Sequence, residues 1–318
     1  MTTGSDRDHF TAHRACCERI APDGGGYLPV RLIPFTKREL MTAEPPSFED
    51  CVSSVLGRYL CVRLSGHDIA TSLRLRSFNS RISVGECWDS QMGTFDALVR
   101  QIAQAVLGQA HCGPWFEICV RIGTLLWLFG HLRQRGIRGN VDISMSCDGL
   151  LGPVSAVIAG RMGVPVGNIV CCVNDSDGIW SLLYHGTIHT GRVAGNNTEG
   201  ADHLISLLCG PAEATRYLDS LRAGVSYRME DGHLAKLRRC IRASVVSDQA
   251  ALRTVSNALS TGGILMSSYT ARSYAGLLSY RSAGMENRQA LVLGEISPAA
   301  GIPGFRGASC MPDNEEKK

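Results

Sequence analysis

The stretch Ser146-Cys147-Asp148-Gly149-Leu150-Leu151-Gly152 is where the sequence concentrates groups able to do chemistry. It follows a short apolar run, Val141 to Met145, that reads as a buried strand, and it precedes Val154 to Met162, which reads as a helix. A glycine-containing turn between strand and helix lets backbone N–H groups approach an anion, and ligands of open α/β sheets gather at that edge. Asp148 works against a phosphate there, because its carboxylate repels one at neutral pH and suits a cation or an amine instead. Cys147 is a candidate nucleophile, since a helix N-terminus favours thiolate. No histidine is close to it in sequence and it is one of thirteen cysteines, so a buried, inert thiol is the better reading.

Amine chemistry has few possible carriers, because Lys37, Lys236, Lys317 and Lys318 are the only lysines. A metal site is not expected. Nine histidines accompany the cysteines, but the cysteines include the adjacent pairs Cys16-Cys17 and Cys171-Cys172, form no CxxC, and nowhere show ligand spacing. Most are read as reduced core residues.

The elements that must position these groups follow from the apolar pattern. Thr36 caps a charged helical turn ending at Leu40, and Phe48 to Tyr59 carries Val52, Val55 and Leu56 at helical spacing. Asp96 to Leu107 and Trp115 to Arg135 read as helices, separated by a loop from Gly108 to Pro114. With the strand from Val141 and a second apolar strand from Ile169 to Val173, the order strand, turn, helix, strand is a βαβ unit. Further helices are expected over Ala201 to Leu208, Ala212 to Leu221, Leu234 to Cys240, from a Ser247-Asp248 cap to Leu259, and over Tyr269 to Ser279, with a strand from Ala290 to Leu293. Residues 60–90 give no clear pattern. The expected organisation is a polar N-terminal tail (1–18), a single α/β domain (19–306, with an N-terminal part 19–111 and a main part 112–306), and a polar C-terminal tail (307–318).

Composition narrows the function classes. The 318 residues carry a net charge of only +3 with basic residues dispersed, which gives no nucleic-acid surface. The most apolar stretch, Ile118 to Phe129, is interrupted by Arg121 and is shorter than the roughly 20 residues of a membrane span, so it reads as a buried helix. Met1 to Asp8 is polar and has no apolar segment of a signal peptide, so a cytoplasmic location is expected.

Several stretches in this order resemble threonine synthase, a fold-type-II pyridoxal-phosphate enzyme that makes threonine from O-phosphohomoserine. Ala21-Pro22-Asp23-Gly24-Gly25 followed by Tyr27-Leu28-Pro29 is similar to the family's N-terminal signature. Val141 to Pro165, ending in Arg161-Met162-Gly163-Val164-Pro165, resembles its strand, phosphate loop and helix. Asn174-Asp175-Ser176-Asp177 with Gly186, Ser244 to Asp248, and Tyr269-Thr270-Ala271 also resemble family positions.

The resemblance implies a mostly parallel α/β sheet covered by helices, like the larger domain of these enzymes, with a mainly helical C-terminal region packing back on it. It implies pyridoxal phosphate as the family cofactor. It also implies departures. Phe95, in Met92-Gly93-Thr94-Phe95-Asp96, stands at the position of the Schiff-base lysine, so no catalytic residue is expected there. Asp148 replaces a family glycine in the turn whose Cys147, Gly149 and Gly152 would otherwise help cradle phosphate. Glu295 stands where the family places a hydroxyl residue near the pyridine nitrogen, and Ser297 where it has histidine. The short loop after Leu107 leaves no room for the smaller domain and its Ser-Gly-Asp-Thr-Gly-type loop.

Four readings follow. The first is a threonine synthase-like pseudoenzyme that binds no cofactor; the second is a small-ligand module for an amino acid or amine at the end of the Val141 strand. The third is a different enzyme with Cys147 as nucleophile, and the fourth an active threonine synthase-type lyase. A homodimer or protein partner is expected to cover the surface left by the missing domain.

Overall fold

The computed structural model describes residues 1–7, 9–41, 46–64, 69–174, 178–189, 199–283 and 288–300. Asp175, Ser176 and Asp177 of the family-like stretch, and the tail 307–318, lie outside them.

In chain order the elements are α1 (Ala12–Cys17), α2 (Lys37–Leu40), α3 (Phe48–Leu60), β1 (Thr71–Ser77), β2 (Ile82–Asp89), α4 (Phe95–Leu107), α5 (Pro114–Gln134), β3 (Val141–Ser146), α6 (Leu151–Arg161) and β4 (Val166–Val173). Then come α7 (Gly178–Trp180), running into a π-helical turn Ser181–His185, and β5 (Thr187–Ile188), α8 (Ala201–Cys209), α9 (Pro211–Arg222) and β6 (Tyr227–Arg228). The chain continues with α10 (Asp231–Cys240), β7 (Ile241–Val245), α11 (Asp248–Gly262), α12 (Ser268–Ser282) and β8 (Ala290–Gly294).

Six strands form one sheet in the order β1-β2-β8-β3-β4-β7. Only the edge pair β1/β2 is antiparallel; the other pairs are parallel. Helices cover both faces, so β2, β3 and β8 are buried along their whole length, which is why β8 reads as an apolar run, whereas β3 also buries the polar Asp142, Ser144 and Ser146 between its apolar residues. Alternation along the strands divides the core. Leu291 and Leu293 of β8 join a large cluster with α3, α4, α5 and α6, while Ala290 and Val292 join a smaller one with Ala258 of α11 and Ala271, Tyr274 and Leu277 of α12.

α5 is long and apolar enough to cross a bilayer, yet 72% of its most apolar window is buried inside the fold. Gly123 allows its packing on α3, since a Cβ there would come within 2.7 Å of the Val52 Cα. The connection from α4 to α5 is the short segment Gly108–Gly113, opened by Gly108 in the left-handed region at φ 71°.

Three features differ from the expectations. Residues 60–90 contain the β1/β2 hairpin, whose turn is held by Asn79 Oδ1 accepting the N–H groups of Arg81 and Ile82 at 2.8 Å each. β7 was not foreseen because Ile241 enters it directly from the last residue of α10. The expected polar N-terminal tail is instead packed. Thr2 and Thr3 are buried, and Thr3 donates its hydroxyl to Asp202 on α8 at 2.9 Å, so small hydroxyl side chains serve there as partners for half-buried carboxylates.

Candidate functional site

A cavity of about 420 Å³ opens beyond the carboxyl end of β3, between the start of α4, the first turns of α5, the turn into α6 and the segment after β8. Phe95, Asp148, Gly149, Gly152 and Glu295 all line it, so the fold gathers residues from three distant parts of the sequence.

Phe95 is the first residue of α4. Thr94 caps the helix by accepting the Ala97 N–H at 3.1 Å, and the Phe95 N–H donates to the Glu295 carbonyl at 2.8 Å. A second clamp joins the same segments. Gly93 accepts the Ser297 N–H at 2.7 Å while sitting at φ 71°, where a Cβ would press on Ser297 at 2.8 Å. The start of α4 and the end of β8 are thereby fixed to one another.

Over the Phe95 ring lies Arg121 of α5, its guanidinium carbon 4.4 Å from the ring centroid. Its Nε donates to Glu117, one helical turn earlier, at 2.8 Å, and its Nη1 donates to Glu295. Burial opposes the charge on Arg121, but the two carboxylates outweigh it and hold the guanidinium more firmly charged than usual. A buried cation is tolerated only with such partners.

The turn into α6 carries Asp148 with its side chain 64% exposed, and Arg272 of α12 approaches it at 3.9 Å while pairing with Asp248 at 2.5 Å. No side chain caps α6; the Leu150 N–H donates to the Glu199 carbonyl at 2.8 Å. The Glu199 carboxyl also lines the cavity. Burial raises its pKa, Arg19 at 2.5 Å works the other way, and Glu117 and Asp96 add to the rise. Tyr269, identified above only as a family-like position, donates its hydroxyl to the Ser146 carbonyl at 2.8 Å, and burial pushes its phenol well up.

Cys147 is placed differently from its neighbours. It does not line the cavity; it is 2% exposed behind the turn, with Sγ 3.6 Å from the Met145 carbonyl. Burial, followed by contact with the Cys171 thiol, raises its pKa well above the usual thiol value, which removes the thiolate that nucleophilic chemistry requires.

Sequence reading missed Arg121, Glu117, Arg100 and Glu199 as site residues. Arg121 registered only as an interruption of an apolar run, although an arginine inside such a run with Glu117 four residues earlier is itself a signal of a buried ion pair. The glycine-rich opening has a packing role. A Cβ on Gly26 would lie 1.9 Å from the His203 ring, and one on Gly25 2.3 Å from the Thr3 hydroxyl.

Among the described residues no three His, Cys, Asp or Glu side chains converge as they would around a metal ion. Lys37 and Lys236, the described lysines, do not line this cavity.

No protein-family model matches the chain, and no curated protein matches it in sequence. Solved structures do. Threonine synthase from Brucella melitensis with pyridoxal phosphate bound superposes with a TM-score of 0.76 at 14% identity, covering 94% of this chain and 88% of that one. The yeast threonine synthase gives a TM-score of 0.77 at 11% identity, covering 98% and 92%, and the Escherichia coli enzyme 0.67 at 11%, covering 94% and 88%. At these identities the likeness is one of fold: over nearly its whole length the chain has the α/β fold of the threonine synthases, that of fold-type-II pyridoxal-phosphate enzymes.

Proposed function

We propose that the chain is a threonine synthase-like protein that has lost pyridoxal-phosphate catalysis, its cavity beside Phe95 standing in the place of the cofactor site. The observation that carries this reading is Phe95 itself, which heads α4 and lines the cavity. A phenyl ring has no amine with which to form an imine, and neither described lysine lines the cavity. Asp148 and Glu199 add negative charge at the turn where a phosphate would have to sit. In this reading the residues do not fit the cofactor. A cytoplasmic location belongs to the same proposal.

Titrating the purified protein with pyridoxal phosphate tests it. We expect no imine absorbance band and no adduct after borohydride reduction. An adduct that maps to a lysine would overturn the reading and bring threonine synthase-type chemistry back.

The carboxylates around the cavity favour a second reading, a binding module for a small amine. A homodimer or protein partner belongs to the same proposal. Light scattering that gives a monodisperse monomer counts against that.

A further inference from the structure

We infer that a second cavity, at the opposite end of β3 from Phe95, binds a small amphipathic anion: a compact apolar body carrying one carboxylate or phosphate group. This site is independent of whatever the Phe95 cavity binds.

The second cavity, of about 320 Å³, opens at the amino ends of β3 and β4, between α2, the last turns of α5, the segment leading into β3 and the turn before β4. Its size lies within the roughly 300–1,000 Å³ of small-molecule sites. Three cations line it, Lys37, Arg133 and Arg138, and among the described residues no carboxylate does. Leu40, Met41, Phe129 and Ile137 give it apolar wall, of which Met41 is left 61% exposed.

Arg133 points to a ligand. The other half-buried arginines among the described residues are all engaged, Arg58, Arg76, Arg121 and Arg272 by carboxylates, Arg242 and Arg281 by backbone carbonyls. Arg133 is half-buried too, yet its guanidinium has no hydrogen bond, ion pair or ring partner among them. Its place in the last turn of α5 suits a cation through the helix dipole, but that leaves its N–H donors unbonded. A charge taken partly out of water ordinarily finds a counter-charge within the chain. Here it borders a concave, carboxylate-free space that an anion can enter. Lys37 and Arg138, exposed around the same cavity and also without side-chain partners among the described residues, add to the positive field.

The lining decides the kind of anion. An inorganic anion would answer the charge and leave the apolar wall wet. A carboxylate or phosphate on an acyl chain covers that wall, while its head group meets Arg133, whose planar fork matches either group.

Calorimetric titration of the full chain with octanoate and with octyl phosphate, each below its micelle concentration, is the test, and the two arms distinguish a carboxylate from a phosphate head group. We expect saturable binding of at least one, weakened roughly tenfold or more by Arg133→Gln. Arg253→Gln, an exposed change on α11, which packs with the smaller core cluster, should leave it unchanged. Met41→Glu, at a side chain too exposed to hold the fold together, should weaken binding as well, and near-ultraviolet circular dichroism checks that the variants stay folded. The anion site is overturned if neither compound saturates, if octylamine binds as tightly, or if Arg253→Gln weakens binding as much as Arg133→Gln. It is overturned equally if acetate and inorganic phosphate match the octyl compounds, which would reduce the effect to general attraction of anions by surface charge.

Discussion

Arg121 lies over the face of Phe95, its guanidinium carbon 4.4 Å from the ring centroid, and is gripped there by Glu117 and Glu295. The arrangement makes the floor of the cavity an ion cluster of one guanidinium between two carboxylates, stacked on an aromatic ring. Arg121 Nε is engaged by Glu117 and Nη1 by Glu295.

Breaking the cluster from its centre should be costly. All three charged side chains are at most 20% exposed, so Arg121→Met would leave Glu117 and Glu295 without their counter-ion in a poorly solvated place. We expect a loss of about 3–5 kcal/mol in urea unfolding. Arg121→Lys, which keeps the charge but not the planar fork or the stacked geometry, should lose less. A loss under about 1 kcal/mol for Arg121→Met would show that the cluster is solvated and of little structural weight.

The thiols offer a separate check on the site. Cys61 and Cys240 are exposed, whereas Cys147 is buried and its pKa is raised first by that burial and then by Cys171. Native protein treated with N-ethylmaleimide should therefore label at Cys61 and Cys240, with Cys147 labelling only after unfolding. Fast native labelling of Cys147, located by mass spectrometry, would restore it as a candidate nucleophile.

The elements that flank the site were legible because each has one clean period. α4 shows a helical stripe, β3 alternates Val141, Ile143 and Met145 with polar residues, β4 ends in the buried apolar run Ile169 to Val173, and the glycine turn between β3 and α6 marks the ligand edge of the sheet. β2 was not legible, since Ser83 and Glu86 are buried within it and break any strand pattern. Glu199 could not be found from sequence at all. Its place in the cavity depends on its carbonyl accepting the Leu150 N–H, a contact between residues far apart in the chain. Arg121 was visible but misread, because local hydropathy shows an interruption and only the fold shows what the charge meets. The N-terminal tail was misread for a related reason: Thr2 and Thr3 look like surface residues until Asp23 and Asp202 are known to need hydroxyl donors.

The glycine-rich opening supports a packing prediction. Gly26→Ala would drive a Cβ into the ring of His203, 1.9 Å away, and should destabilise the protein by about 3 kcal/mol. If steric overlap is the cause, His203→Ala in the same chain should recover part of the loss, giving a coupling of about 1 kcal/mol or more in a double-mutant cycle. Strict additivity would put the effect of Gly26 in its backbone instead.

His203 also gives the fold a pH dependence. Its Nδ1 lies 3.0 Å from Asp202 Oδ1, while Asp202 Oδ2 accepts the Gly26 N–H at 2.7 Å and the Thr3 hydroxyl at 2.9 Å. Burial opposes both charges, but their mutual attraction outweighs it, so the imidazole pKa is raised and the carboxyl pKa lowered; Glu199 nearby adds to the rise on the imidazole. A raised imidazole pKa stabilises the fold fully below its ordinary value of about 6.5, and that contribution is lost as pH climbs through the higher folded value. A lowered carboxyl pKa stabilises above about 3.8 and is lost as pH falls through the lower folded value. The pair therefore contributes most between about pH 4 and 6.5. Urea midpoints should decline from pH 6 toward pH 9 in the wild type, and His203→Gln should flatten that decline. An unchanged slope in the variant would assign the pH dependence to other groups and leave the Asp202–His203 pair a neutral hydrogen bond.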